Sequence, residues 1–432
     1  RGMGLIYASA FATSASQGRA LCGPAGLFPP NTGLGRPIPA FDALYRLMSA
    51  VHRAAGGAPP LGPVMDSVVS DGAVELVSYL GLALSLLLLF GSSRLSLWAP
   101  LPAALWALYL SLVNLGSPAM INYGWEWATL EIGFLAIFLC AEWPPHSRFP
   151  LLLPPPPPVL WLFRWYVARF LLGAGMSKLG EGASGCWREL SCTRTHYATQ
   201  PMPSPLAWLM HRLPPHWHSA EAGLTLSSQL LLPFLLLLPL RPARLSAFAI
   251  SLVFEIGLVL TGNYAWINWV LAVPSLSLLD DDAIATAVGL VAPVTSLALA
   301  QSAARADAHA SALGQPLRPR RRARGADGQG REPPVLGFAC RSGIRAYRCW
   351  RAVLHVGLVL LIGRKSVAPV RELFARSPWL HYYDDLFLVN AQGVFGFVNS
   401  HRVVLTLQYS HNETLSPPPP QPGCVDAAGT VG

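Results

Sequence analysis

Between Cys186 and His218 the chain reads CWRELSCTRTHYATQPMPSPLAWLMHRLPPHWH, two cysteines and four histidines in a proline-rich stretch between long apolar runs. Thiols and imidazoles at this density suit a metal centre, a redox site or a disulfide-tied loop. Five residues separate Cys186 from Cys192, whereas a disulfide oxidoreductase uses Cys-x-x-Cys. Zinc held with His196, His211, His216 or His218 would call for the paired short spacings of zinc ribbons and fingers, which are absent. No metal ligand set is assigned. The third reading, a Cys186–Cys192 disulfide, depends on compartment, because neighbouring cysteines bridge in an oxidising lumen and stay reduced in the cytosol.

A second group of reactive side chains sits inside apolar runs. NYGWEWATLEIGFLAIFLC carries Glu126 and Glu131, FRWYVARFLLGAGMSKL carries Arg164, Arg169 and Lys178, and Glu255 stands in a third run. A charge at the centre of a membrane helix costs about 2.5–3.5 kcal/mol on insertion scales, so such residues usually face a bundle interior and pair. One reading joins Glu126 or Glu131 to Arg164 or Arg169 across helices. The other is a polar cavity in which Lys178 serves as a base, with the small residues of GAGMSK letting helices approach closely. Pairing is preferred, so no catalytic residue is assigned and Lys178 stays the one candidate.

These residues need a membrane scaffold, and composition supplies one. The chain has 432 residues, 52% hydrophobic and 12% charged, against about 25% charged in soluble domains. Runs near Val74–Phe90, Leu97–Leu115, Tyr123–Ala141, Val159–Met176, Gly223–Leu240, Leu245–Leu260, Trp266–Leu279 and Trp350–Gly363 approach the length that crosses a bilayer. The expected fold is an all-α polytopic transmembrane bundle of about eight or nine helices.

Loop charge orients the bundle. Arg94, Arg148, Arg241, Arg244 and the run RPRRRARGADGQGR (318–331) mark the cytosolic side. That run lacks aromatic interleaving or a recognition helix, so nucleic acid is not its partner. Residues 1–15 read as the remnant of a first membrane helix and 16–71 as a lumenal segment. Two bundle parts, 72–178 and 223–300, flank a lumenal loop at 179–222. An Arg-rich cytosolic linker at 301–345 leads to the last membrane helix, 346–364, and a lumenal segment, 365–432. The bookkeeping closes if Ile284–Ala300 is interfacial or re-entrant. Alternation at Val403, Leu405, Leu407 and Tyr409 reads as one strand, the start of a truncated β segment, and Asn412-Glu413-Thr414 is a glycosylation acceptor. With the loop in the lumen, Cys186 and Cys192 are expected to bridge.

No Gly-rich phosphate loop, nucleophile elbow or His-Glu-x-x-His motif is present, and no cofactor is implied. Longer stretches are more specific. LYLSLVNLGSPAMINYGWEWATLEIGFLAIFLC, RWYVARFLLGAGMSKL, the Cys186–Arg212 segment and LTGNYAWINWVLAVPSLSLLDDD closely resemble the lipase maturation factor family. The likeness runs through residues 72–282 and resumes from Trp379 through NAQGVFGFVNSHRVVLTLQYS. It implies a multi-pass protein of the endoplasmic reticulum membrane, in contact with membrane lipids, that helps secreted lipases fold, assemble and leave. Trp187, Tyr197, Trp208 and Trp217 are then candidate client contacts, since aromatic anchors dominate interfaces, although Trp and Tyr also anchor membrane boundaries. A shorter likeness around GAGMSKL to the vitamin K-dependent γ-carboxylase implies the alternative, a membrane enzyme using Lys178 as base.

Overall fold

The structure, a computed structural model, describes residues 1–30, 36–54, 69–116, 124–140, 155–200, 202–291, 335–375 and 382–399. Among them the chain is helical: α1 (Gly2–Cys22), α2 (Pro39–Ala54), α3 (Asp71–Phe90), α4 (Pro100–Leu115), α5 (Gly124–Ile137) and α6 (Pro157–Leu179) come first. After them run α7 (Cys192–Thr199), α8 (Pro205–His211), α9 (Pro215–Leu237), α10 (Arg241–Thr261), α11 (Ile267–Ser275), α12 (Asp281–Val291) and α13 (Val335–Leu373). It is a polytopic helical membrane protein. Among the described residues five stretches are long and apolar enough to cross a bilayer: Asp71–Phe90, Pro157–Leu179, Pro215–Leu237, Arg241–Thr261 and Cys349–Leu373. Pro100–Leu115 and Ile267–Leu278 are shorter apolar helices.

Local chemistry sets several of these boundaries. Ser70 caps α3 by accepting a hydrogen bond from the Ala73 N–H. Pro100, Pro157, Pro205 and Pro215 open α4, α6, α8 and α9, where a missing N–H costs nothing. That rule explains why α9 starts at Pro215 rather than near Gly223. His216 and His218 therefore lie on a helix and not in a loop.

Other bounds also depart from the sequence reading. α1 continues to Cys22, past residue 15. The segment read as 16–71 contains α2, which buries Ile38 and Phe41 against Ala73, Val74 and Val77 of α3 and Leu115 of α4. α13 runs from Val335 to Leu373, longer at both ends than the 346–364 expected. Ile284 to Val291 belongs to the eleven-residue α12, while 292–300, the 318–331 arginine run, the 403–409 strand and Asn412 lie outside the described residues.

α6 forms the axis, with 72% of its apolar window buried against 17% for α10 and 22% for Cys349–Leu373. α1 and α3 run antiparallel in tight contact. Ser14 and Ser78 hydroxyls bond at 2.8 Å and Arg19 meets Asp71 at 3.3 Å. At the other end of that seam a Cβ on Gly4 would lie 2.9 Å from Leu89 N, so only glycine permits the approach. Near the N-terminal end of α6, Arg241 and Arg244 hold Asp280 at 2.7 and 2.9 Å. The Arg241 bond, with the Ala283 N–H, keeps the Asp280 carboxyl below the usual range.

Candidate functional site

The buried charges sort into different environments. Glu131 of α5 and Arg169 of α6 form an ion pair with side chains 2% and 1% exposed. Asn390 completes it, donating from its backbone N and from Nδ2 to Glu131 Oε2, each at 3.1 Å. Its Nδ2 also reaches the carbonyls of Phe387 and Trp127. A buried pair is best tolerated when its remaining lone pairs and protons are satisfied; Asn390 does this for Glu131, while Arg169 Nε and Nη1 find no hydrogen-bond partner among the described residues.

Glu126 meets no arginine among the described residues. It accepts a hydrogen bond from the Tyr109 hydroxyl. Arg164 donates to the Ser277 carbonyl at 3.0 and 2.8 Å and lies over the Trp161 ring. Glu255 is 4% exposed, with Oε2 unpartnered. The structure thus brings Glu131 together with Arg169, whereas Glu126 and Arg164 use a hydroxyl and a carbonyl.

Lys178 closes α6 and is 1% exposed. Its amine donates to Ala174 O at 2.9 Å and Val394 O at 2.8 Å, over the Trp187 ring at 5.1 Å. Trp187 Nε1 donates to Phe395 O at 3.0 Å, and Ser184 N donates to Gly396 O at 3.0 Å. Val398 N closes the series on Ser184 Oγ at 2.8 Å. Residues 394–398 thus form a strap across the end of α6. It lies so close that a Cβ on Gly396 would come 2.5 Å from Ser177 O.

The strap packs on the cysteine segment. Cys186 and Cys192 are joined in a disulfide with Cα atoms 4.7 Å apart. Trp187, Cys192 and Ala222 form a small core with Leu190 and Val398. His196 bonds Tyr264 through Nε2 at 2.6 Å, and Phe395 packs edge-on against both rings. Burial, then the Lys178 charge, pushes His196 down to about 4, so the imidazole is neutral. His211 meets the Arg194 carbonyl, and His218 lies beside Thr193 and Glu221. These three histidines have separate partners, His216 is exposed, and among the described residues no three His, Cys, Asp or Glu converge on a common point.

Of the aromatic candidates, Trp187 and Tyr197 are buried at 5% and 4% exposure, and Tyr197 donates to Glu221. They are core residues, unavailable to a partner. Trp208 and Trp217 stand 57% and 49% exposed, with the Arg212 guanidinium 3.7 Å from the centre of the Trp208 ring. Sequence reasoning missed Asn390, Tyr264 and Gly396. The signals for them were two of the family-like stretches, NAQGVFGFVNS, which contains Asn390 and Gly396, and LTGNYAWINW, which contains Tyr264.

This bundle, capped by a disulfide and strapped by the distal chain, defines a family: residues 1–286 match the lipase maturation factor transmembrane domain, and the chain belongs to the lipase maturation factor family. Lipase maturation factor 1 of Mus musculus is 32% identical over 420 residues, 97% of this chain and 66% of that one. The Homo sapiens protein of that name is 31% identical over 422 residues, with the same coverage of each chain. Lipase maturation factor 2 of Homo sapiens is 30% identical over 298 residues, 67% of this chain and 40% of that one. The chain thus spans about two thirds of the length of the lipase maturation factor 1 relatives it matches. No solved structure matches it.

Proposed function

We propose that this protein is a multi-pass membrane factor of the endoplasmic reticulum that assists the folding, assembly and export of secreted lipases, acting by binding rather than by catalysis. The names of its relatives support the lipase client. The observation that carries the non-catalytic reading is the state of Lys178. A base needs an accessible lone pair facing substrate, and this amine is enclosed, donating to two carbonyls and covered by an indole. Exposed Trp208 and Trp217 are the surface offered to a client; Trp187 and Tyr197 support it from below.

The test is rescue of lipase secretion in cells lacking the endogenous factor. Lys178→Arg keeps a donor for Val394 O but cannot act as a base near neutral pH, because arginine stays protonated. It is expected to retain rescue, whereas Trp208→Ala/Trp217→Ala is expected to reduce it at unchanged protein level. Loss of rescue by Lys178→Arg, with normal abundance and localisation, would favour the carboxylase-like membrane enzyme instead.

A further inference from the structure

A groove along α13 is separate from the strapped end and has no part in the reading above. Its volume is about 730 Å³, within the range of small-molecule sites, about 300–1,000 Å³. Leu361, Arg364, Lys365, Arg371 and Glu372 line it from α13, and Tyr382 faces them from the returning chain. Successive positions 364, 368, 371 and 375 share one helix face, so Ala368 leaves a shallow floor between two arginines about 10 Å apart along the axis.

The charges are unequally engaged. Lys365 is paired with Asp384. Arg364, Arg371 and Glu372 have no ion-pair partner among the described residues, which leaves two guanidiniums and one carboxylate facing the groove. The groove also sits where α13 changes character. Val353, Val356 and Leu360, exposed by 60–67%, cover the preceding outward face of a stretch able to cross a bilayer, and exposed Arg364 and Arg371 follow them. Such a change from apolar to cationic surface is what a helix shows where hydrocarbon gives way to headgroups.

We propose that this groove holds the headgroup of an aminophospholipid. The phosphodiester would lie against Arg364 and Arg371, whose planar forks suit phosphate oxygens. The primary ammonium would reach Glu372, and an acyl chain would lie along Leu361 toward Leu360. Charge complementarity selects this ligand over a purely anionic lipid. A groove for anions alone would not carry the Glu372 carboxylate beside its two free guanidiniums.

The experiment uses the full chain, purified in detergent. It is titrated with short-chain phosphatidylethanolamine, phosphatidylglycerol, phosphatidylcholine and inorganic phosphate, and binding is read by native mass spectrometry. Phosphatidylethanolamine is expected to bind most tightly and phosphate not at all. Each basic residue at a charged lipid surface contributes about fivefold, so Arg364→Gln/Arg371→Gln should weaken phosphatidylethanolamine roughly 25-fold. Glu372→Gln should reverse the order, with phosphatidylglycerol now favoured, a result that mere misfolding would not give. Arg46→Gln on exposed α2 serves as a control and should change nothing. The proposal is overturned if phosphate competes as well as lipid, if phosphatidylglycerol binds the native protein more tightly, or if the Glu372 variant keeps the native order.

Discussion

Lys178 Nζ lies 2.8 Å from the carbonyl oxygen of Val394, 216 residues further along the chain. One side chain thereby fastens the strap to the end of the central helix. The indole under that amine, Trp187, donates to the next carbonyl, Phe395 O. Trp187 directly follows Cys186, so the disulfide, the end of α6 and residues 394–398 form one mechanical unit. A surface presented by α8 and the start of α9 lies beside this unit and is supported by it.

Removing the Lys178 amine should loosen the strap first. Lys178→Met keeps most of the stem volume but leaves the Val394 carbonyl only the long 3.5 Å bond from the Ser177 hydroxyl, and losing the main partner of a buried acceptor costs up to about 1–3 kcal/mol. Hydrogen exchange is expected to rise at residues 394–398 while the α1–α3 seam stays protected. Uniform loosening across the bundle would contradict a local fastening role.

Glu131 and Arg169 should behave as a coupled pair. Removing one partner leaves a buried uncompensated charge at a cost of about 3–5 kcal/mol, whereas removing both spares that cost. Thermal unfolding in detergent should therefore show Glu131→Gln and Arg169→Met each strongly destabilised and the double variant partly recovered. Additive losses would mean that the two side chains do not depend on each other.

The charge cost of membrane insertion made this pair legible, because only pairing or function explains Glu131 and Arg169 in apolar runs. It could not choose between Glu126 and Glu131. That choice depends on Tyr109 and Asn390, neutral side chains that satisfy one carboxylate each and leave no mark in a charge pattern. The partners of Lys178 were not legible for a similar reason: they are backbone carbonyls, which any residue type supplies. The amphipathic α2 escaped notice because its apolar positions are too few to look like a membrane span. The start of α9 is marked in the sequence by Pro214 and Pro215, a signal for a helix start that hydropathy does not carry.

Compartment can be checked on two residues that behave oppositely in lumen and cytosol. Cys186 and Cys192 should resist maleimide in intact microsomes until reduced, whereas Cys22, Cys140 and Cys349 form no disulfide among the described residues. Closing so short a loop contributes about 2 kcal/mol, so reduction should lower the unfolding temperature. Asn412 should carry a glycan whose glycosidase-sensitive shift vanishes in Asn412→Gln, and the 318–331 arginine run should be cleaved by protease added outside sealed microsomes. Protection of that run would invert the topology.

His196 gives the disulfide-bearing end a pH dependence with a definite sign. Its folded value is pushed from 6.5 down to about 4 by burial and by Lys178. Between those values the unfolded chain binds more protons than the folded one, so stability rises with pH. The contribution is fully present above about 6.5 and is lost as pH falls toward about 4. Its size is about 3–4 kcal/mol at most, since one pKa unit corresponds to about 1.4 kcal/mol. The groups facing the imidazole are Lys178 and the Tyr197 and Tyr264 phenols. Burial holds both phenols well above their ordinary value, so neither titrates in this window. His196→Gln, which keeps a hydrogen bond to Tyr264 but cannot be protonated, should flatten the loss of stability between those pH values. An unchanged slope in that variant would place the acid sensitivity elsewhere in the protein.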